Sequence, residues 1–192
     1  MNILICGLGL IGASLAKTLK KNTSHTVLGW NRTPSVTEKA LRDGVIDKSG
    51  ELKELMGEAD ITFVNFYPDA IVPFILEHKN DFKRDSIVTD SCGIKTKICR
   101  EMEKQEFDFY FIGAHPMAGR EVSGYDNSLD TLFDNASFIC TPCGEVPRVK
   151  TDALVGLAQQ MGFARTVPSH PSGSSGSGSS SGSSIAPLNC VS

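Results

Sequence analysis

The stretch Cys6-Gly7-Leu8-Gly9-Leu10-Ile11-Gly12 decides how this chain folds. It follows a short apolar run, Asn2 to Cys6, that reads as a strand. It opens a segment in which Ile11, Leu15 and Leu19 fall on one helical face at i, i+4 and i+8 spacing. A strand, a turn with glycines at these three places and then a helix together suit a dinucleotide pyrophosphate. The first glycine permits the tight turn, the second lets the backbone approach the phosphates, and the third lets helix and strand pack closely. Unsatisfied N–H groups at the helix start face the anion. Gly7, Leu8, Gly9, Leu10, Ile11 and Gly12 are therefore the candidate phosphate loop. The alternatives are a glycine-rich turn with no ligand and a methyltransferase-type nucleotide loop.

Working outward, short β-branched runs alternate with helix-like stretches as far as Val167, the sequence form of βαβ units and a parallel sheet. Strands are expected at Thr26 to Trp30, Ile61 to Phe66, Ser86 to Thr89, Phe109 to Ala114, Ser137 to Cys140 and Phe163 to Val167. Helices are expected near Asp69 to His78, Lys95 to Lys104 and Arg148 to Met161. Thr33 can cap, and Pro34 open, a further helix that stops at Gly44. The fold class is α/β: a Rossmann-type, doubly wound, mostly parallel sheet with helices on both faces, expected over residues 1–168. Ser172 to Ser184 contains only serine and glycine and can bury nothing, so residues 169–192 are expected to be a flexible tail.

Composition narrows the function. The 192 residues carry Lys+Arg 19 against Asp+Glu 22, a net charge of -3. That balance gives no basic excess for nucleic acid or for a polybasic membrane anchor. No apolar run reaches the roughly 18 residues of a membrane span. The uncharged opening to Ala16 lacks the basic start of a signal peptide, so a cytoplasmic protein acting on a small molecule is expected. The six cysteines are scattered, several in apolar stretches, and read as reduced core thiols. Cys140-Thr141-Pro142-Cys143 has no second CxxC or paired histidines to complete a zinc site, and no metal site is expected.

Three further segments carry chemistry. At the end of the second strand, where an acidic residue often bonds the ribose, stand Asn31, Arg32 and Thr33. A neutral side chain removes repulsion toward a 2′-phosphate and a guanidinium can pair with it, so NADP is as plausible as NAD; the plain alternative is a solvated loop charge. Tyr67 and Pro68, after the third strand, are assigned to the same cofactor site. Asp90-Ser91-Cys92-Gly93-Ile94-Lys95 follows a strand and opens a helix, and borders the expected nicotinamide or substrate. Finally, His115-Pro116-Met117-Ala118-Gly119-Arg120-Glu121 lies at the carboxyl edge, where open α/β sheets bind ligands. Pro116 restricts the backbone of His115, and histidine is the side chain best placed to accept a proton near neutral pH. A histidine that only braces the loop is the alternative.

Gly7 to Ala16, Asp90 to Lys95 and His115 to Glu121 together resemble the prephenate dehydrogenase family of tyrosine biosynthesis. Ser123-Gly124, Leu132-Phe133 and Thr141-Pro142 resemble its downstream pattern, so the likeness runs from Met1 to Val167. It implies NAD or NADP as cofactor, prephenate or arogenate as substrate, His115 as the catalytic base, and Gly93, His115 and Glu121 at the substrate. Glu121 would have a gating role. The family's loop commonly reads Gly-Ser where this chain has Cys92-Gly93, so a backbone N–H or water would replace that hydroxyl. Family members continue into a helical domain that forms a homodimer and supplies basic contacts to the substrate. Nothing here matches that domain, and a truncated enzyme is expected. Alternatives are an NADP-dependent hydroxyacid or arogenate dehydrogenase, and a dinucleotide-binding module without catalysis.

Overall fold

Both faces of the first strand, β1 (Asn2–Cys6), are covered, which is why it is apolar almost throughout. Ile3 and Ile5 enter one hydrophobic cluster, Leu4 and Cys6 the other, as the two-residue period of a strand requires. The computed structural model describes residues 1–168; the expected flexible tail, 169–192, lies outside the described residues. After β1 come α1 (Leu10–Asn22), β2 (Thr26–Trp30), α2 (Pro34–Arg42), α3 (Leu52–Glu58), β3 (Ile61–Val64) and α4 (Pro68–Glu77). There follow β4 (Ile87–Asp90), α5 (Lys95–Met102), β5 (Tyr110–Pro116), a short 3-10 turn (Tyr125–Asn127), β6 (Ser137–Pro142), α6 (Arg148–Gln160) and β7 (Arg165–Pro168).

The strands form one sheet in the order β2-β1-β3-β4-β5-β6-β7. Every neighbouring pair is parallel except β5 with β6. Leu15 and Leu19 of α1 and Leu154 and Leu157 of α6 pack on one face. Leu55 of α3, Ile71 and Ile75 of α4, and Ile98 and Met102 of α5 pack on the other. This is the doubly wound Rossmann-like architecture. Beyond β2 an isolated parallel bridge joins Leu28 to Lys48, a rudiment of a further outer strand. The chain leaves β1 toward β2 on one side and returns to β3 on the other. The loops at the carboxyl ends of β1 and β3 therefore diverge, and a crevice opens between them.

Several expectations are corrected. β5 runs on to Pro116, so His115 belongs to the strand's last residues rather than to a loop beyond it; its antiparallel partner β6, with His115 opposite Ile139, extends the pairing. The seven-residue α3 has too few turns to show an apolar stripe and was not expected. Thr33 occupies the N-cap of α2, yet its side chain makes no capping hydrogen bond. The cysteines are not all thiols. Cys99 of α5 and Cys143, just past β6, form a disulfide on the α3–α4–α5 face, their Cα atoms 5.1 Å apart. Their 44-residue separation leaves no local signal in the sequence. Cys6, Cys92 and Cys140 remain thiols.

Candidate active site

The glycine turn is built by contacts that each position makes or avoids. Gly7 has φ +91°, donates its N–H to the Trp30 carbonyl at 2.8 Å, and could hold no side chain, since a Cβ would lie 2.6 Å from the Asn65 carbonyl oxygen. At Gly12 a Cβ would stand 1.9 Å from the Gly7 carbonyl oxygen, so the helix can approach the turn only with hydrogen there. At Gly9 a Cβ would meet nothing within 4 Å. The space in front of the Gly9 backbone is thus open while the other two glycines are packed, which is the division of roles a pyrophosphate cradle needs. Gly9 is also the N-cap of α1, with no side-chain cap and no acidic residue in the first turn, so the positive end of the helix faces this opening.

A cavity of about 780 Å³ lies over the turn, within the range of small-molecule and cofactor sites. Gly7, Gly9, Leu10, Ile11 and Gly12 line it, as do Asn31, Arg32, Thr33, Tyr67 and Pro68. Leu8 does not. Its side chain is buried in the core and its N–H is donated to Asn31 Oδ1 at 3.0 Å. Asn31 itself therefore braces the turn, with Nδ2 directed to the Thr33 carbonyl at 3.3 Å, rather than holding its carboxamide out for a ribose. Arg32 is exposed on the rim. The sequence reading missed Trp30, Phe66 and Phe74, which wall one end, and Asn65, whose Oδ1 is buried without a partner. The aromatic rings pack edge to face or tilted, with centroids 4.7 to 6.4 Å apart. Trp30 at the end of β2 and Asn65-Phe66 just past β3 carried a signal in their position, whereas Phe74 lies inside α4 and carried none.

Gly93, His115 and Glu121 do not line this cavity; Ser91 and Cys92, and Val122 to Gly124, border it in their place. Gly93 and His115 nonetheless meet, since a Cβ on Gly93 would lie 3.3 Å from His115 Cε1. A serine in that position would press on the imidazole, so glycine and histidine fit each other here. Glu121 is exposed in the segment between β5 and the 3-10 turn. His115 is half-buried and its Nδ1 has no hydrogen-bond partner. Burial first, and then the Lys95 ammonium, hold its pKa below the ordinary 6.5; the Ser91 backbone and the Asp90 carboxylate pull the other way. A neutral imidazole beside an open cavity at a strand's carboxyl edge can accept a proton from a bound hydroxyl.

The fit to a dinucleotide rests on the open Gly9 cradle, the uncapped start of α1 and an aromatic-walled cavity at the crevice. Comparisons with known proteins identify the family. Residues 15–164 match the family model described as prephenate dehydrogenase, nucleotide-binding domain. A prephenate dehydrogenase of Lactococcus lactis is 37% identical over 145 residues, which cover 72% of this chain and 40% of that protein. The crystal structure of Synechocystis arogenate dehydrogenase superposes with a TM-score of 0.82 at 31% identity, covering 89% of this chain and 60% of that one. A prephenate dehydrogenase from Aquifex aeolicus, solved with hydroxyphenyl propionate and NAD+, shares the fold at a TM-score of 0.77 and 24% identity, covering 90% of this chain and 60% of its own. The chain spans about two fifths of the length of the first two curated relatives it matches.

Proposed function

The chain belongs to the prephenate dehydrogenase family, and from that premise we propose that it is the nucleotide-binding part of an NAD- or NADP-dependent dehydrogenase acting on prephenate. The observation that carries the reading is the neighbourhood of the open Gly9 cradle and His115 along one sheet edge, linked by the Ser91–Gly93 loop. Gly7, Gly9 and the first N–H groups of α1 would hold the pyrophosphate, with Arg32 and Thr33 near the adenosine ribose and Tyr67 and Pro68 along the cofactor. When bound, the nicotinamide supplies a hydride acceptor. His115 takes the proton of the ring hydroxyl as that hydride leaves the same carbon, so the hydroxyl becomes a carbonyl. Carbon dioxide then departs, its bonding electron pair makes the ring aromatic, and the oxygen recovers a proton as the phenol of 4-hydroxyphenylpyruvate. Gly93 gives the substrate a backbone N–H, and Glu121 guards the mouth.

Arogenate is the second substrate reading, favoured by the likeness to the Synechocystis enzyme. It differs in the side chain and undergoes the same ring chemistry. The reading carries with it a cytoplasmic location and a family-type homodimer. Among the described residues no helix is long and apolar enough to cross a membrane.

The test is a chimera in which residues 1–167 replace the matching part of the Lactococcus lactis enzyme. It is expected to oxidise prephenate or arogenate with NAD or NADP, releasing carbon dioxide. His115→Asn in that chimera should lower turnover by roughly 100-fold or more with cofactor affinity nearly intact. A folded chimera that binds the dinucleotide and oxidises neither substrate overturns the proposal.

A further inference from the structure

Lys95 is the first residue of α5, yet its side chain is only 14% exposed, and its Nζ lies 2.5 Å from Oδ2 of Asp90, which is fully buried. The same carboxylate accepts the Cys92 N–H at 3.0 Å through Oδ2 and the Ala114 N–H at 3.2 Å through Oδ1. One buried anion therefore joins the end of β4, the loop that touches the imidazole, and the strand residue directly before His115. The lysine stem reaches it across Gly113, where a Cβ would stand 3.0 Å from Lys95 Cδ. Gly113 and His115 lie two apart on β5 and so share the face on which α5 packs. Stability alone does not account for such a pair, because a buried ion pair is often no better than apolar side chains of similar volume.

We propose that Asp90 and Lys95 are a positioning pair for His115: the carboxylate ties the β4 edge to the backbone at Ala114, and the ammonium it holds beside the strand end keeps the imidazole uncharged and able to accept a proton. This rests on the reading of His115 as the base. A second positive charge close by in a partly dry setting is penalised more than in water, so the arrangement favours neutral imidazole. The other titratable groups around it are few. Asp90 reaches it from β4, while Cys92 in the loop and Cys140 on β6 act on the Lys95 ammonium. Burial pushes the Cys140 thiol up to about 12, so it adds no charge near neutral pH.

The experiment follows the His115 ring proton by NMR as pH is varied in the 192-residue chain, with His115→Asn assigning the signal. It needs neither substrate nor cofactor, so its failure is distinct from failure of the dehydrogenase reading. In Lys95→Met the midpoint should rise by about half a pH unit or more, roughly threefold more imidazolium at a given pH. Lys95→Arg, which keeps the charge, should titrate close to wild type. Lys95→Met leaves Asp90 buried without its partner and can fail to fold. The double variant Asp90→Asn with Lys95→Met leaves no buried charge, and its midpoint should also rise, by less. An unmoved midpoint in a folded double variant overturns the proposal, as does a Lys95→Arg midpoint that rises as far as that of Lys95→Met.

Discussion

At Gly9 an added side chain would enter open space, whereas at Gly12 it would strike the Gly7 carbonyl, so the two glycines should separate binding from folding. Gly9→Val is expected to leave the melting temperature nearly unchanged and to weaken NAD and NADP by at least about tenfold, or 1.4 kcal/mol, in calorimetric titration. Gly9 already has φ -78°, which a valine adopts without strain. Gly12→Ala should instead cost about 3 kcal/mol in urea unfolding, the upper range for overpacking, because backbone cannot swing aside as a flexible side chain can. Arg32 gives a third single-residue test. It forms no ion pair among the described residues and lies on the cavity rim, so it is available to a 2′-phosphate. Arg32→Ala should weaken NADP more than NAD by roughly tenfold, since hydrogen bonds to charged groups contribute about 1.5 to 3 kcal/mol. Equal losses for the two cofactors would make Arg32 a plain surface charge.

The segment between β5 and β6 is held down by contacts at its far end. The Tyr125 hydroxyl donates to Asp43, just after α2, at 2.9 Å, while the ammonium groups of Lys17 and Lys39 lie 5.4 and 5.5 Å from its ring centre. Lys17 also donates to the Ser128 carbonyl, and Leu129 gives its N–H to the Ser14 hydroxyl. Glu121 thus rides on a strip anchored to α1 and α2. Burial and then Asp43 push the Tyr125 pKa up, so the phenol stays neutral and keeps donating. Tyr125→Phe should cost about 1.5 kcal/mol in urea unfolding, at the lower edge for a hydrogen bond to a charged acceptor. Unchanged stability would show that the strip is held by its other contacts. None of this anchoring was legible in the sequence, where Tyr125 and Asp43 are 82 positions apart. The glycine turn was legible because its pattern, the strand before it and the helix after it are all local. Asn31 lay in a recognised place, but its role as a brace depends on a partner 23 residues away. Asp90 and Lys95 stood together in one quoted loop, and only the packing of α5 against β5 reveals that Asp90 is buried and the Lys95 side chain largely covered.

For the molecule as a whole, His115 links the site to acid stability. Its pKa is lower in the folded chain than the ordinary 6.5, so around and below that pH the unfolded chain binds the proton more readily. Stability from this group is complete above pH 6.5 and declines as pH falls from there toward the folded value. Urea unfolding at pH 7.5 and 5.5 should show a larger acid loss for wild type than for His115→Asn. Equal losses would mean that the imidazole is as well hydrated in the folded state as in the unfolded one. The wall of the cavity offers a simpler readout than any of these. Trp30 is the chain's single tryptophan, it ends β2, and its ring lines the cavity together with Phe66 and Phe74, whose ring centres lie 6.4 and 6.2 Å away. The protein therefore carries a single indole, which can be excited apart from its three tyrosines and is already placed at the proposed binding site. Its ultraviolet emission should change when the cavity fills, allowing occupancy to be followed optically without a label or a reaction.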